Sequence, residues 1–281
     1  MERTYRVGTR TSPLALKQVE EVLVMLRRFY PGMRSEVIGI DTYGDKDKVT
    51  PVSDIEGTDF FTREIDEALL KNEIDPSTSL RVNGERSRTI DPSTSLRVNG
   101  ERSRTIDFAV HSAKDLPDEL RDGLVISALT ECLDPYDALV SKSGLTLDRL
   151  LEGARIGTSS LRRKAQLKAY RKDFEIVDVR GNIEERLRLL DDNHPSRTVG
   201  NGFKPFPTQL NLDAIVIAAC GLIRLGLSHR ITQKIPLEIL RPHPLQGSLA
   251  IVARATDLEL IKLLSVLNGA RHQCRAPFER F

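Results

Sequence analysis

A lysine and an aspartate stand side by side in FAVHSAKDLP, residues 108–117, a stretch that opens on three apolar residues and ends on a proline. Phe108, Ala109 and Val110 read as a buried strand, His111, Ser112, Lys114 and Asp115 as its polar end, and Pro117 stops it. Charge gathered at the C-terminal edge of a strand is where open α/β sheets carry their sites. Asp115 is therefore the first carboxylate to test for chemistry. A solvated Lys114–Asp115 pair on a loop fits the same ten residues.

The arginines repeat the pattern. Arg10, Arg162, Arg163, Arg180 and Arg186 all fall at or just after expected strand ends that feed helices. Arg10 lies in a turn before Ser12, a helix N-cap, and Pro13, a first-turn proline. Thr158, Ser159 and Ser160 bring hydroxyls and free helix N–H groups to the turn that carries Arg162 and Arg163. Such turns bind oxyanions, and together they point to a cleft for a ligand with several carboxylates or phosphates. A capping serine beside solvated arginines is the plainer alternative at each turn.

The elements that must position these residues alternate strand and helix. Strands are expected over 5–8, 36–40, 108–110, 124–129, 154–156, 174–179, 213–218 and 248–253. Helices are expected from Ser12, over 60–72, 145–151, from Ser160, and over 258–267. The fold class is α/β, in two domains: 1–131 with 248–281, and 132–247. Residues 74–89, IDPSTSLRVNGERSRT, recur unchanged at 90–105, and the two copies carry the whole net charge of +2. The repeat has no helical or strand period, so a looped-out insertion is expected. Residues 193–211 read as a second long loop.

Composition narrows the class. Of 281 residues, 40% are hydrophobic and 29% charged, an ordinary globular balance. No apolar run approaches a membrane span and no signal peptide opens the chain, so a cytoplasmic protein is expected. The net charge gives no reason to expect nucleic acid. Cys132, Cys220 and Cys274 are far apart, and the five histidines show no ligand spacing, so no metal is expected.

Seven stretches then resemble one family, in its order: RVGTRTSPLALKQ (6–18), TYGDK (42–46), FAVHSAKDLP (108–117), DPYDALVS (134–141), IGTSSLRRKAQL (156–167), VRGNIEERL (179–187) and GLIRLGL (221–227). The family is porphobilinogen deaminase, or hydroxymethylbilane synthase. The resemblance implies two lobes similar to those of periplasmic binding proteins, with the site between them. It implies the joining of four porphobilinogen molecules with release of ammonia, for heme biosynthesis. It gives Asp115 the catalytic role. It gives Arg10, Ser12, Lys114, Thr158, Ser159, Arg162, Arg163, Arg180, Arg186 and Arg224 the binding of acetate and propionate groups. It implies a dipyrromethane cofactor, a monomer, and no nucleic-acid or membrane partner. The family's Gly-Lys-Gly run is here Gly57-Thr58-Asp59, and its GQGALGIE segment is LQGSLAIV (245–252). The Gly-Gly-Cys motif that carries the cofactor is not matched by any of the three cysteines, so the chain is expected to stop short of a third α+β domain. Two outcomes follow from that expectation: an incomplete synthase, or a two-lobed polycarboxylate-binding remnant without turnover.

Overall fold

The computed structural model describes residues 3–46, 59–71, 94–98, 105–192 and 210–269. The chain divides into two compact units, passing from the first to the second after Leu133 and returning at Gly247.

The first unit opens on β1 (Thr4–Arg10), α1 (Pro13–Phe29), β2 (Arg34–Ile40), α2 (Tyr43–Lys46) and α3 (Arg63–Leu70). β3 (Thr94–Val98), β4 (Phe108–Ser112) and β5 (Leu124–Leu129) follow. The second unit holds β6 (Asp137–Ser141), β7 (Arg155–Gly157), α4 (Leu161–Tyr170), β8 (Glu175–Val177), α5 (Ile183–Asp191), β9 (Ala214–Ala218), α6 (Ala219–Arg224) and β10 (Gln233–Lys234). β11 (Leu249–Arg254) and α7 (Leu258–Leu264) complete the first unit.

The first sheet runs β3-β2-β1-β4-β11-β5. β1 is parallel to both β2 and β4, and β11 is antiparallel to β4 and β5. β4 and β11 are buried on both faces, which is why they read as continuous apolar runs. Phe108, Val110, Leu249 and Ile251 pack with Val19, Val22, Leu26, Leu260 and Leu264 of α1 and α7. Ala109 and Val252, one residue out of phase, pack with Ile65 and Leu69 of α3 on the opposite face. The second sheet runs β10-β6-β9-β7-β8, with β7 parallel to β8 and β9. Its core joins Leu139, Ile156, Leu167, Phe174 and Val216.

The structure corrects two expectations. Residues 145–151 form turns, not a helix. Arg149 N and Leu150 N both donate to Thr146 O, at 2.9 and 3.0 Å, and this single turn goes no further. Gly153, at φ +74°, then reverses the chain into β7. In the repeat, Thr94–Val98 is not loop but β3, parallel to β2 over five residues from Ser35↔Thr94 to Gly39↔Val98. The open edge of β2 supplies the ladder that local periodicity could not reveal. The rest of the repeat, residues 193–209 and the expected chain end at 274–281 lie outside the described residues.

Candidate active site

Two turns carry the candidate residues of the first unit. The parallel register Val7↔Phe108 and Gly8↔Ala109 brings the C-terminal ends of β1 and β4 to one edge of the sheet. Arg10 is the last residue of β1, which runs two residues beyond its expected end. Ser12 caps α1, its Oγ accepting from Ala15 N at 3.3 Å. Lys114 and Asp115 lie in a 3-10 turn, Ala113–Asp115, directly after β4. That turn is pinned by Ala113 N donating to Ser248 O at 3.1 Å. Both side chains are partly exposed. Gln18 Nε2 donates to Ser112 Oγ at 2.7 Å, tying α1 to the same edge.

Arg10 is held on two sides. Its Nε donates to both carboxylate oxygens of Asp45 at 3.1 Å, and its Nη2 also donates to Asp45 Oδ1. Its guanidinium lies over the Phe61 ring, 4.1 Å from the centroid. Asp45 in turn accepts from Thr42 Oγ1 at 2.7 Å and Thr42 N at 3.2 Å. Burial works to raise the Asp45 pKa, but the Arg10 and Thr42 contacts outweigh it and hold the carboxyl below its ordinary value. His111, buried just before the turn, has its pKa pushed down to about 4, first by burial and then by the Arg10 charge, so it is neutral at pH 7.

In the second unit, Ser160 caps α4 by accepting from Arg163 N, and Thr158 is fully buried beneath it. Ser159 is spent on the turn: its Oγ donates to Val179 O and accepts from Val179 N at 3.1 Å. Arg163 is also turned inward. Its Nη2 donates to Asp137 Oδ1 at 2.6 Å and to Gln246 Oε1 at 3.4 Å, and its Nη1 to Val216 O at 3.3 Å. Arg162, 31% exposed, donates to Arg241 O and lies 3.7 Å from Asp137 Oδ2. Burial lowers its pKa, Asp137 opposes that and Arg163 adds to it. Arg180 is buried and Arg186 half-buried, its Nε donating to Gly181 O at 2.9 Å. Gly181 has φ +96°, and a Cβ there would meet Glu185 Oε2 at 2.5 Å, so the Arg180–Asn182 turn requires glycine. Arg224 closes α6, at the far end of the helix that follows β9.

The first unit thus brings Arg10, Ser12, Lys114 and Asp115 to one sheet edge. The second brings Thr158, Ser159, Arg162 and Arg163 to one turn, with Arg180 and Arg186 on the next. Sequence reading did not single out Asp45, Phe61 or Asp137. The TYGDK and DPYDALVS stretches contain two of them, but nothing local marks an aspartate as an arginine's partner. Among the described residues no group of three or more histidine, cysteine or acidic side chains is arranged to hold a metal, and no helix is long and apolar enough to cross a membrane.

The chain aligns over most of its length with several solved structures at low identity. These include the methionine-binding protein MetQ, at 17% identity and a TM-score of 0.46 over 94% of this chain and 89% of that one. A putative methionine-binding lipoprotein of Bacillus subtilis gives 13% and 0.46, over 93% and 88%. Sequence similarity is far closer. The porphobilinogen deaminase of Brevibacillus brevis is 38% identical over 276 residues, covering 98% of this chain and 74% of its own. That of Natranaerobius thermophilus is 37% identical over 275 residues, covering 98% and 73%. That of Xanthomonas campestris is 38% identical over 277 residues, covering 99% and 75%. The family profile described as porphobilinogen deaminase, dipyromethane cofactor binding domain, matches residues 5–79 and 101–262. With most of both units matched, the chain belongs to the porphobilinogen deaminase family.

Proposed function

We propose that this chain is a hydroxymethylbilane synthase of tetrapyrrole biosynthesis, joining four porphobilinogen molecules head to tail and releasing ammonia from each. The observation that carries the reading is the edge shared by the parallel strands β1 and β4, where Arg10 ends β1 and the carboxylate candidate Asp115 lies in the turn directly after β4. Asp115 accepts a pyrrole N–H. When the C–N bond of the protonated aminomethyl group breaks and its nitrogen leaves as ammonia, the methylene carbon stays on the ring, the ring becomes cationic, and a fixed carboxylate beside it lowers the barrier. The α-carbon of the neighbouring pyrrole then bonds to the freed methylene carbon and loses its proton.

Arg10, Ser12, Lys114, Arg162, Arg180, Arg186 and Arg224 bind the acetate and propionate groups. Thr158, Ser159 and Arg163 act behind them, since their polar groups hold the turn itself. Dipyrromethane bears the same carboxylates, and a donor set of guanidinium, ammonium and hydroxyl groups suits such a polyanion. Arg162, Arg180 and Arg186 would hold it, and when bound it supplies the pyrrole to which the first substrate ring is joined. No attachment role is assigned to Cys132, half-buried, or to Cys220, buried in α6. The reading includes a monomer in the cytoplasm without nucleic-acid or membrane partners, which a single-species sedimentation profile with and without porphobilinogen checks.

The test is product formation from porphobilinogen by the full chain, with ammonia and hydroxymethylbilane both measured. Asp115→Ala is expected to keep the circular dichroism and melting temperature of the parent and to lose product. Unfolding of that variant would make Asp115 structural. Porphobilinogen binding without product from the parent chain would favour the polycarboxylate-binding alternative.

A further inference from the structure

The contacts around Arg10 go beyond those of a surface ion pair. A guanidinium offers five N–H donors along separate edges. Asp45 occupies the edge made by Nε and Nη2, and Phe61 covers one face. Nη1 carries no hydrogen bond among the described residues. Asp45 is fixed independently by Thr42, through its backbone N and Oγ1, and Thr42 is fully buried.

Phe61 is fixed as well. Gly44 N donates to Phe60 O at 2.9 Å, and a Cβ on Gly44 would meet Phe61 Cε1 at 2.3 Å, so the loop lies directly against the ring. Thr11 Oγ1 donates to Asp41 Oδ1 at 2.5 Å and ties the segment after β1 to the one after β2. An arginine side chain is rich in rotamers, and less of that entropy is lost on binding when it is already held.

We propose that Asp45 and Phe61 are positioning residues for Arg10. They clamp its inner edge and one face so that the Nη1 end meets a ligand carboxylate in a single orientation. This rests on the reading of Arg10 as a carboxylate-binding residue. The alternative is that Asp45 stands in for the ligand and must be displaced by it. Asp45 loses three charge-assisted hydrogen bonds in that case, whereas in the proposed arrangement it keeps them.

The test is calorimetric titration of porphobilinogen into the full chain, together with its variants. Arg10→Ala is expected to weaken binding by about tenfold or more. Asp45→Asn and Phe61→Leu are each expected to weaken it about three- to tenfold, with little change in melting temperature. In the Arg10→Ala background neither should add a further loss, because both act only through Arg10. In nitrogen NMR, the Arg10 Nε–H signal should persist in the complex.

Unchanged binding by Arg10→Ala would remove the carboxylate role of Arg10 and the positioning with it. Weak binding by Arg10→Ala with unchanged or tighter binding by Asp45→Asn would keep the role of Arg10 and overturn the positioning. Tighter binding, with loss of the Nε–H signal in the complex, would identify Asp45 as the displaced competitor. Equal losses in both backgrounds would show general structural damage and also overturn it. If Asp45→Asn does not fold, Phe61→Leu carries the same cycle.

Discussion

The two units bury ionisable side chains in opposite ways. In the first, His111 and Asp66 are buried with no ion-pair partner among the described residues, and desolvation shifts both toward the neutral form, lowering the His111 pKa to about 4 and raising that of Asp66 to about 6. In the second, Asp137 is fully buried but faces the Arg163 guanidinium at 2.6 Å, with Gln246 Nε2 donating to the same oxygen at 2.8 Å. The difference is what a buried charge does about its lost hydration: alone its pKa shifts toward the neutral form, paired it makes a fixed link. The link joins Asp137 of β6 to the start of α4 and to Gln246, which ends the second unit. The same unit therefore spends one of its paired arginines on its own architecture and leaves Arg162 the more exposed of the two.

The sharpest way to break this contrast is to remove one member of the buried pair. Arg163→Ala is expected to destabilise the protein by about 3–5 kcal/mol, because the buried Asp137 carboxylate loses its nearest charge partner and keeps only Gln246 and the more distant Arg162. Replacing both together, by Arg163→Met with Asp137→Leu, should recover part of the loss. A chemical-denaturation loss under about 1 kcal/mol for Arg163→Ala would show that the pair contributes little.

The next largest effect is in pH dependence. Asp66 has its pKa raised to about 6, mainly by burial, with Thr62 and Arg121 opposing and Asp59 and Glu67 reinforcing. Between pH 4 and 6 the folded state holds a proton there that the unfolded state has released, so stability falls as pH rises. His111 acts in the other direction. Its folded pKa of about 4 lies below the ordinary 6.5, so its contribution is present above pH 6.5 and is lost as pH falls toward 4. Each is worth up to about 3 kcal/mol, and they oppose one another between pH 4 and 6. Asp66→Asn should therefore leave stability rising with pH across that window, and His111→Gln should leave it falling. Parallel pH profiles for the parent and both variants, in urea titrations, would break the account of the first unit.

Caps give the smallest effect, and it should be similar in both units. Ser12→Ala removes the α1 cap. Asn182→Ala removes a full capping box on α5, in which Asn182 and Glu185 satisfy one another's backbone N–H groups at 2.9 and 2.8 Å. Each should cost about 1 kcal/mol in thermal melts. A much larger loss at Ser12 than at Asn182 would point to a ligand-free role for Ser12 in holding the Arg10 turn.

Much of the fold was legible in the chain, since local chemistry was enough to specify it. Ser12-Pro13 specified the start of α1, the apolar spacing specified its buried stripe, and FAV followed by HSAKD specified a strand with a polar end. The arginine turns were legible as strand-to-helix turns for the same reason: N-caps, glycines and guanidiniums are local features. The partners of those arginines were not, because Asp45 is 35 residues from Arg10 and Asp137 is 26 from Arg163, and only folding selects them. The repeat makes the point most plainly. TSLRV at 94–98 forms β3, although its residues show no strand period. The strand arises from what the chain itself does not spell out: the unpaired N–H and C=O groups along the edge of β2.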